Sequence, residues 1–170
     1  CLCAGINLHA TAFSQPVPTR REVASAMDSK GRVHAVWVEQ SHGPSGDEDA
    51  LLWYSTHDPT TGIRRSSLVD RSVSIYSLGM VVDGFNNAHM VWVTAPVTLG
   101  LRRSWASFEE TLERVNYLSS DPGGLVSGSP RLIFASPAHD LWVSITLGYD
   151  SALYLAWTET FWVNSTAAES

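Results

Sequence analysis

Met27-Asp28-Ser29-Lys30-Gly31-Arg32-Val33-His34-Ala35-Val36-Trp37-Val38 aligns without a gap on Val82-Asp83-Gly84-Phe85-Asn86-Asn87-Ala88-His89-Met90-Val91-Trp92-Val93, so that Asp, His and Trp coincide. A third copy, Gly148-Tyr149-Asp150-Ser151-Ala152-Leu153-Tyr154-Leu155-Ala156-Trp157-Thr158, fits if its turn is two residues shorter and Tyr154 replaces the histidine. A repeat at this spacing decides the architecture, because one supersecondary unit cannot bury its apolar surface without its neighbours.

The downstream halves repeat too. Leu52-Trp53-Tyr54-Ser55-Thr56-His57-Asp58-Pro59-Thr60-Thr61-Gly62 corresponds to Val115-Asn116-Tyr117-Leu118-Ser119-Ser120-Asp121-Pro122-Gly123-Gly124, with a tyrosine, an Asp-Pro turn and a glycine in each. Each unit therefore holds two hairpins. Strands are expected at 23–27, 33–40, 51–56 and 66–69, at 77–82, 88–94, 114–119 and 130–134, and at 141–147 and 153–158. Their β-branched and aromatic content, punctuated by Asp, Gly, Asn and Pro, carries that expectation. In the strand from Val33 to Val38 one face bears Val33, Ala35 and Trp37 and the other His34, Val36 and Val38. Both faces are largely apolar, as a sheet lying between two other sheets requires. The fold class is thus all-β, with consecutive four-stranded antiparallel propeller blades. At about two and a half blades it is an incomplete propeller, since closed rings hold roughly 4–8. The expected division is an N-terminal segment at 1–22, blade 1 at 23–72, blade 2 at 73–136 with an inserted loop at 95–113, and a partial blade 3 at 137–170.

At these residues the sequence resembles the sialidase-type β-propeller superfamily. In that family a blade commonly opens with an Asp-x-x-Gly-x-x-His-x-x-Trp strand pair and carries a Ser-x-Asp-x-Gly turn, the Asp-box. Asp28, Gly31, His34 and Trp37 fit the first pattern, as do Asp83, His89 and Trp92 with Asn86 in place of glycine. The turns at 55–62 and 119–124 resemble degenerate Asp-boxes without the following tryptophan. The resemblance covers about residues 23–158 and is specific for fold. It implies that the rim opposite the Asp-box turns holds the substrate site. It also implies an arginine triad and a tyrosine/glutamate nucleophile pair, which nothing here assigns.

Composition narrows the function classes. The chain has 170 residues, 44% hydrophobic and 16% charged, enough to bury a core. Eleven basic residues against seventeen acidic ones give a net charge of −6, and no basic cluster exceeds an arginine pair, which argues against nucleic acid. Polar residues interrupt every apolar run before it reaches the length of a membrane helix. The two cysteines, Cys1 and Cys3, are too close for an unstrained bridge. Cys1 reads as the lipid-anchor residue of a processed surface protein. Alternatively, Ala10-Thr11-Ala12 is a signal-peptidase site. Both readings place the protein outside the cytoplasm, secreted or at the cell surface.

Residues that recur at one repeat position serve the repeat, so His34 and His89 are read as structural rather than metal-binding. The three repeat tryptophans are read as wedges between blades, and Asp28, Asp83 and Asp150 as turn formers. Function is sought where the copies differ. In the first variable loop Asp47 and Asp49 are candidate ligand or partner contacts, with calcium as the one cofactor they suggest; otherwise no cofactor and no metal are expected. In the second loop, Ser107-Phe108-Glu109-Glu110 reads as a capping box, and Trp105 and Phe108 are candidate contacts for a sugar or a protein. Glu39 and Glu159, each two residues past a repeat tryptophan, are the alternative catalytic pair of a glycoside hydrolase fragment. The favoured reading is a non-catalytic binding or structural platform in a larger assembly. Its partners would be other protein chains completing or covering the propeller, with carbohydrate as a further ligand class. The third unit, apolar on both sides, is expected to leave one such face bare, and Ile145→Glu or Leu155→Glu is expected to alter assembly if the side chain lies on that face.

Overall fold

The computed structural model describes residues 22–42, 48–72, 74–95, 112–137 and 140–160. Ten strands and no helix make up these residues: β1 (Val23–Met27), β2 (Val33–His42), β3 (Glu48–His57), β4 (Arg64–Ser72), β5 (Ser74–Val82), β6 (Ala88–Ala95), β7 (Glu113–Ser119), β8 (Arg131–Ser136), β9 (Asp140–Leu147) and β10 (Leu153–Thr160). They form three antiparallel sheets in chain order, β1-β2-β3-β4, β5-β6-β7-β8 and the pair β9-β10. All ten sequence-expected strands are present, most of them longer than expected, because the ladders run on into residues of low strand propensity such as Arg64 and Asp70.

The sheets stack face on face, with β5 packed against both β1 and β9. Val36, Val38, Leu52, Tyr54 and Val69 of the first sheet meet Met80, Ala88, Met90 and Trp92 of the second. On the far side of the second sheet, Val91, Val93 and Val115 meet Leu141 and Val143 of the third. Strand β6 is buried on both faces, and Trp92 is 0% exposed. Its indole N–H also donates to Asp70 Oδ2 at 2.8 Å, so the one polar atom of the wedge is satisfied inside the interface.

The second and third sheets turn their repeat tryptophans toward the sheet before them. Trp157 pairs across its ladder with Val143 and lies against Phe134 of the second sheet, ring centroids 5.0 Å apart and planes tilted by 30°, yet remains 41% exposed. Trp37 has no described sheet before it and lies on an outer face. Of the three tryptophans expected to be wedged between sheets, only Trp92 is fully enclosed: Trp37 lies on the outer face of the first sheet, and Trp157, though turned to the second sheet, lies on β10, an edge strand of the two-stranded third sheet.

Two close approaches fix the stacking. Ser77, at φ 54 in a bulge of β5, accepts the Val143 N–H at 2.7 Å. A side chain at Gly79 would meet Val91 Cγ2 at 3.0 Å and Ile145 Cγ2 at 3.1 Å, so β5 and β9 need the missing Cβ there.

The third turn corrects the sequence alignment. Gly148 N–H donates to Ala152 O at 2.8 Å, as Asp28 N–H does to Arg32 O and Asp83 N–H to Asn87 O, both at 3.0 Å. Gly148 therefore stands where Asp28 and Asp83 stand, and the turn is not shorter. The aspartate has moved along the turn. A Cβ at Gly148 would lie 2.5 Å from both Asp150 Oδ1 and Tyr154 Cε2, so those side chains occupy the space that the first two units give to their aspartates.

Candidate functional site

The repeated polar residues form one device built twice. Asp28 accepts the N–H groups of Lys30 and Arg32 at 2.9 Å and the Arg32 Nε–H at 2.7 Å, closing the β1–β2 turn. His34 Nε2 lies 3.4 Å from the same carboxylate and His34 Nδ1 lies 2.7 Å from the Tyr54 hydroxyl. Burial would raise the Asp28 pKa, but the Arg32 backbone N–H and guanidinium, His34 and Lys30 outweigh it and hold the carboxyl below its ordinary value. An ionised carboxylate can only accept, so the His34 proton sits on Nε2 and Nδ1 accepts the Tyr54 O–H. In the second unit, Asp83, His89 and Tyr117 repeat the relay at 3.1 and 2.7 Å. The third keeps a shortened form in which the Tyr154 hydroxyl donates to Asp150 at 3.0 Å.

Each relay ties a turn to two strands of its own sheet. Burial lowers the His34 pKa and pushes the Tyr54 hydroxyl up to about 12, so both are neutral near pH 7. Asn86, which stands where the first copy has Gly31 at φ 78, adopts φ 70, a conformation Asn tolerates. Its Oδ1 accepts the Ser29 N–H at 3.1 Å and the Ser29 O–H at 2.6 Å, tying the turn of the second sheet to that of the first.

A pH dependence follows from the same geometry. The His34 folded pKa lies below its unfolded value of about 6.5, so stability falls as pH drops through that value. At Asp83 burial acts upward, but the Asn87 side chain and backbone N–H, His89 and Phe85 hold the carboxyl at about 2. Its contribution is full above about pH 4 and disappears as pH falls toward 2. Urea unfolding at pH 7, 5 and 3 should therefore show a progressive loss. Asp83→Asn should reduce stability at pH 7 by about 2 kcal/mol and flatten the lowest limb of that loss. An unchanged acid limb in the variant would remove the relay from the explanation.

Among the described candidates, the two glutamates do not converge. Glu39 shares the outer face of the first sheet with Trp37 and is exposed. Glu159 shares the face of Val143 and Trp157, directed at the second sheet, which therefore stands between the two glutamates. Glu159 is tied locally: Ser136 Oγ–H donates to its Oε2 at 2.6 Å and the Trp157 indole N–H to its Oε1 at 3.1 Å. Asp49 is ion-paired with Arg71, whose Nε–H donates to its Oδ2 at 3.2 Å. Asp47, Trp105, Phe108 and Cys1 lie outside the described residues. No cluster of three or more His, Cys, Asp or Glu positioned for a metal occurs among the described residues, and no helix there is long and apolar enough to cross a membrane.

A different surface stands out. The outer face of the first sheet collects Val23 and Met27, 67% and 69% exposed, Leu68, 49% exposed, and the half-buried Val33, Trp37, Leu51 and Trp53. Among the described residues no other sheet packs on it. In the third sheet Ile145 and Leu155 turn inward onto the second sheet, so they do not lie on its uncovered face. Its outer face is the mixed set Trp142, Ser144, Thr146, Tyr154, Ala156 and Thr158. The alternation of Val23, Ser25 and Met27 with Ala24 and Ala26 was the signal for the first sheet's outer face, but a strand's own period does not say which side a neighbour covers.

Comparison of the chain with protein-family models, with curated proteins and with solved structures gives no match.

Proposed function

We propose that this chain is a non-catalytic, extracytoplasmic β-propeller-type module that acts as a binding or structural platform within a larger assembly. The single observation that carries the reading is the outer face of the first sheet. It is the repeat equivalent of the face through which the second sheet buries Ala88, Met90 and Trp92 on the first. Residues of that class are built to be covered by another sheet. Contiguous exposed apolar surface of this kind marks an interaction site. A propeller arrangement accounts for the order of the sheets, for the inner position of β1, β5 and β9, and for two relays at equal repeat positions. The rim chemistry favours a platform over the glycoside hydrolase alternative, since Glu39 and Glu159 do not face a common substrate.

Light scattering on the purified chain tests this. Self-association or binding of a hydrophobic dye is expected, and Leu68→Lys together with Val23→Lys should suppress it. Both positions are exposed, so the melting temperature should move little. A monodisperse monomer of 18.6 kDa that binds no dye and does not respond to either substitution would refute the platform reading.

A further inference from the structure

At the rim where the second and third sheets end, Glu113, Ser136 and Glu159 come together from three strands. Glu113 opens β7 and sits opposite Ser136 in the β7–β8 ladder. Ser136 in turn donates to Glu159 Oε2 at 2.6 Å. Glu113 shares its strand face with Val115, which packs between the two sheets, so its carboxyl group is directed into that interface. It is 6% exposed and Ser136 is 2% exposed. Glu113 Oε2 is buried with no hydrogen-bond partner among the described residues. The neighbouring cation, Arg114, is exposed on the opposite face of the strand.

A buried carboxylate oxygen without a donor loses its hydration for nothing in return. Here a second carboxylate lies across the same serine, which adds like-charge repulsion. One small ligand relieves both. We propose that Glu113 and Glu159 hold a hard divalent cation, calcium, with Ser136 Oγ as a further oxygen and water completing the shell. The chemistry is that of oxygen donors only, which selects a hard ion over zinc or copper. Magnesium demands near-ideal octahedral geometry and gives up water reluctantly, whereas calcium accepts irregular sets of 6–8 oxygens. With two carboxylates the affinity belongs at the weak end, about 10⁻⁴–10⁻³ M, the regime of extracellular modules. Binding would clamp β7, β8 and β10 at one rim. The site is independent of the assembly reading and differs from the Asp47 and Asp49 loop, whose Asp49 is held by Arg71.

Trp157 supplies the readout. Its indole N–H bonds Glu159 Oε1 at 3.1 Å, so it stands beside the ion and can sensitise terbium, a luminescent oxygen-seeking stand-in for calcium. Terbium titration of the full chain should give saturable luminescence under indole excitation, displaced by calcium, and calcium should raise the melting temperature over that in EDTA. Glu113→Gln should abolish both effects, and Glu159→Gln provides the same reading if the first variant folds poorly. Trp157→Phe should lose most of the luminescence while keeping the calcium-dependent melting shift, and Asp49→Asn should keep both. Absence of saturable luminescence in the unaltered chain, its persistence in a folded Glu113→Gln variant, or its loss in Asp49→Asn would overturn the assignment.

Discussion

Trp92→Ala should lower the unfolding free energy by about 3–5 kcal/mol, the range for removing a large aromatic side chain from a core. The side chain is fully buried between the first two sheets, among Val36, Leu52, Met80 and Met90. Truncation leaves a cavity at the centre of the larger core and strips Asp70 of its indole donor. For a chain of this size the melting temperature should fall by roughly 6–20 °C. Trp157→Ala, at a position 41% exposed, should cost clearly less. Equal losses at the two positions would mean that the tryptophans do not occupy the graded environments described here. Thermal unfolding followed by circular dichroism measures both.

Gly124→Ala is the second large effect, expected at about 2–5 kcal/mol from strain and overlap together. Gly124 has φ 77, a conformation that costs other residues, and a Cβ there would fall inside contact distance of Thr56 Cγ2. The glycine belongs to the Asp121 turn of the second sheet, while Thr56 belongs to the first, so the overlap lies in the sheet–sheet interface. Adding Thr56→Ser removes the opposing methyl and should recover the steric share while leaving the backbone share. A double variant no more stable than Gly124→Ala alone would show that the turn does not press on Thr56.

Much of this architecture was legible in the sequence because its signals are local. Asp-Pro and Asp-Gly punctuation, together with two gapless copies of Asp-His-Trp, marks the strands and the unit boundaries without reference to tertiary contacts. The relays were half legible: His34 and His89 recur with Asp28 and Asp83, and Tyr54 and Tyr117 recur in the downstream halves. That each histidine bridges its aspartate and its tyrosine needs the β2–β3 and β6–β7 registers. The third turn was misaligned because identity pairs Asp150 with Asp28, whereas the backbone bonds pair Gly148 with it. Which end of the stack exposes apolar surface could not be read from alternation, because Ile145 and Trp142 sit on opposite faces of one strand and only the neighbouring sheet decides which is covered. The Glu113–Ser136–Glu159 cluster escaped for a related reason. It joins three strands of two sheets, one of them carrying a bulge between Val115 and Asn116 that no residue type announces.

The sheets stack in chain order, the second and third turning their tryptophan faces to the sheet before them. Hydrogen exchange of the indole N–H groups, followed by NMR on chain labelled with ¹⁵N-tryptophan, tests this stacking most directly. The Trp92 indole N–H, 0% exposed and bonded to Asp70, should exchange only on the timescale of global unfolding. That of Trp157, on a side chain 41% exposed, should exchange far sooner. Exchange of Trp92 as fast as that of Trp157 would contradict the stacking.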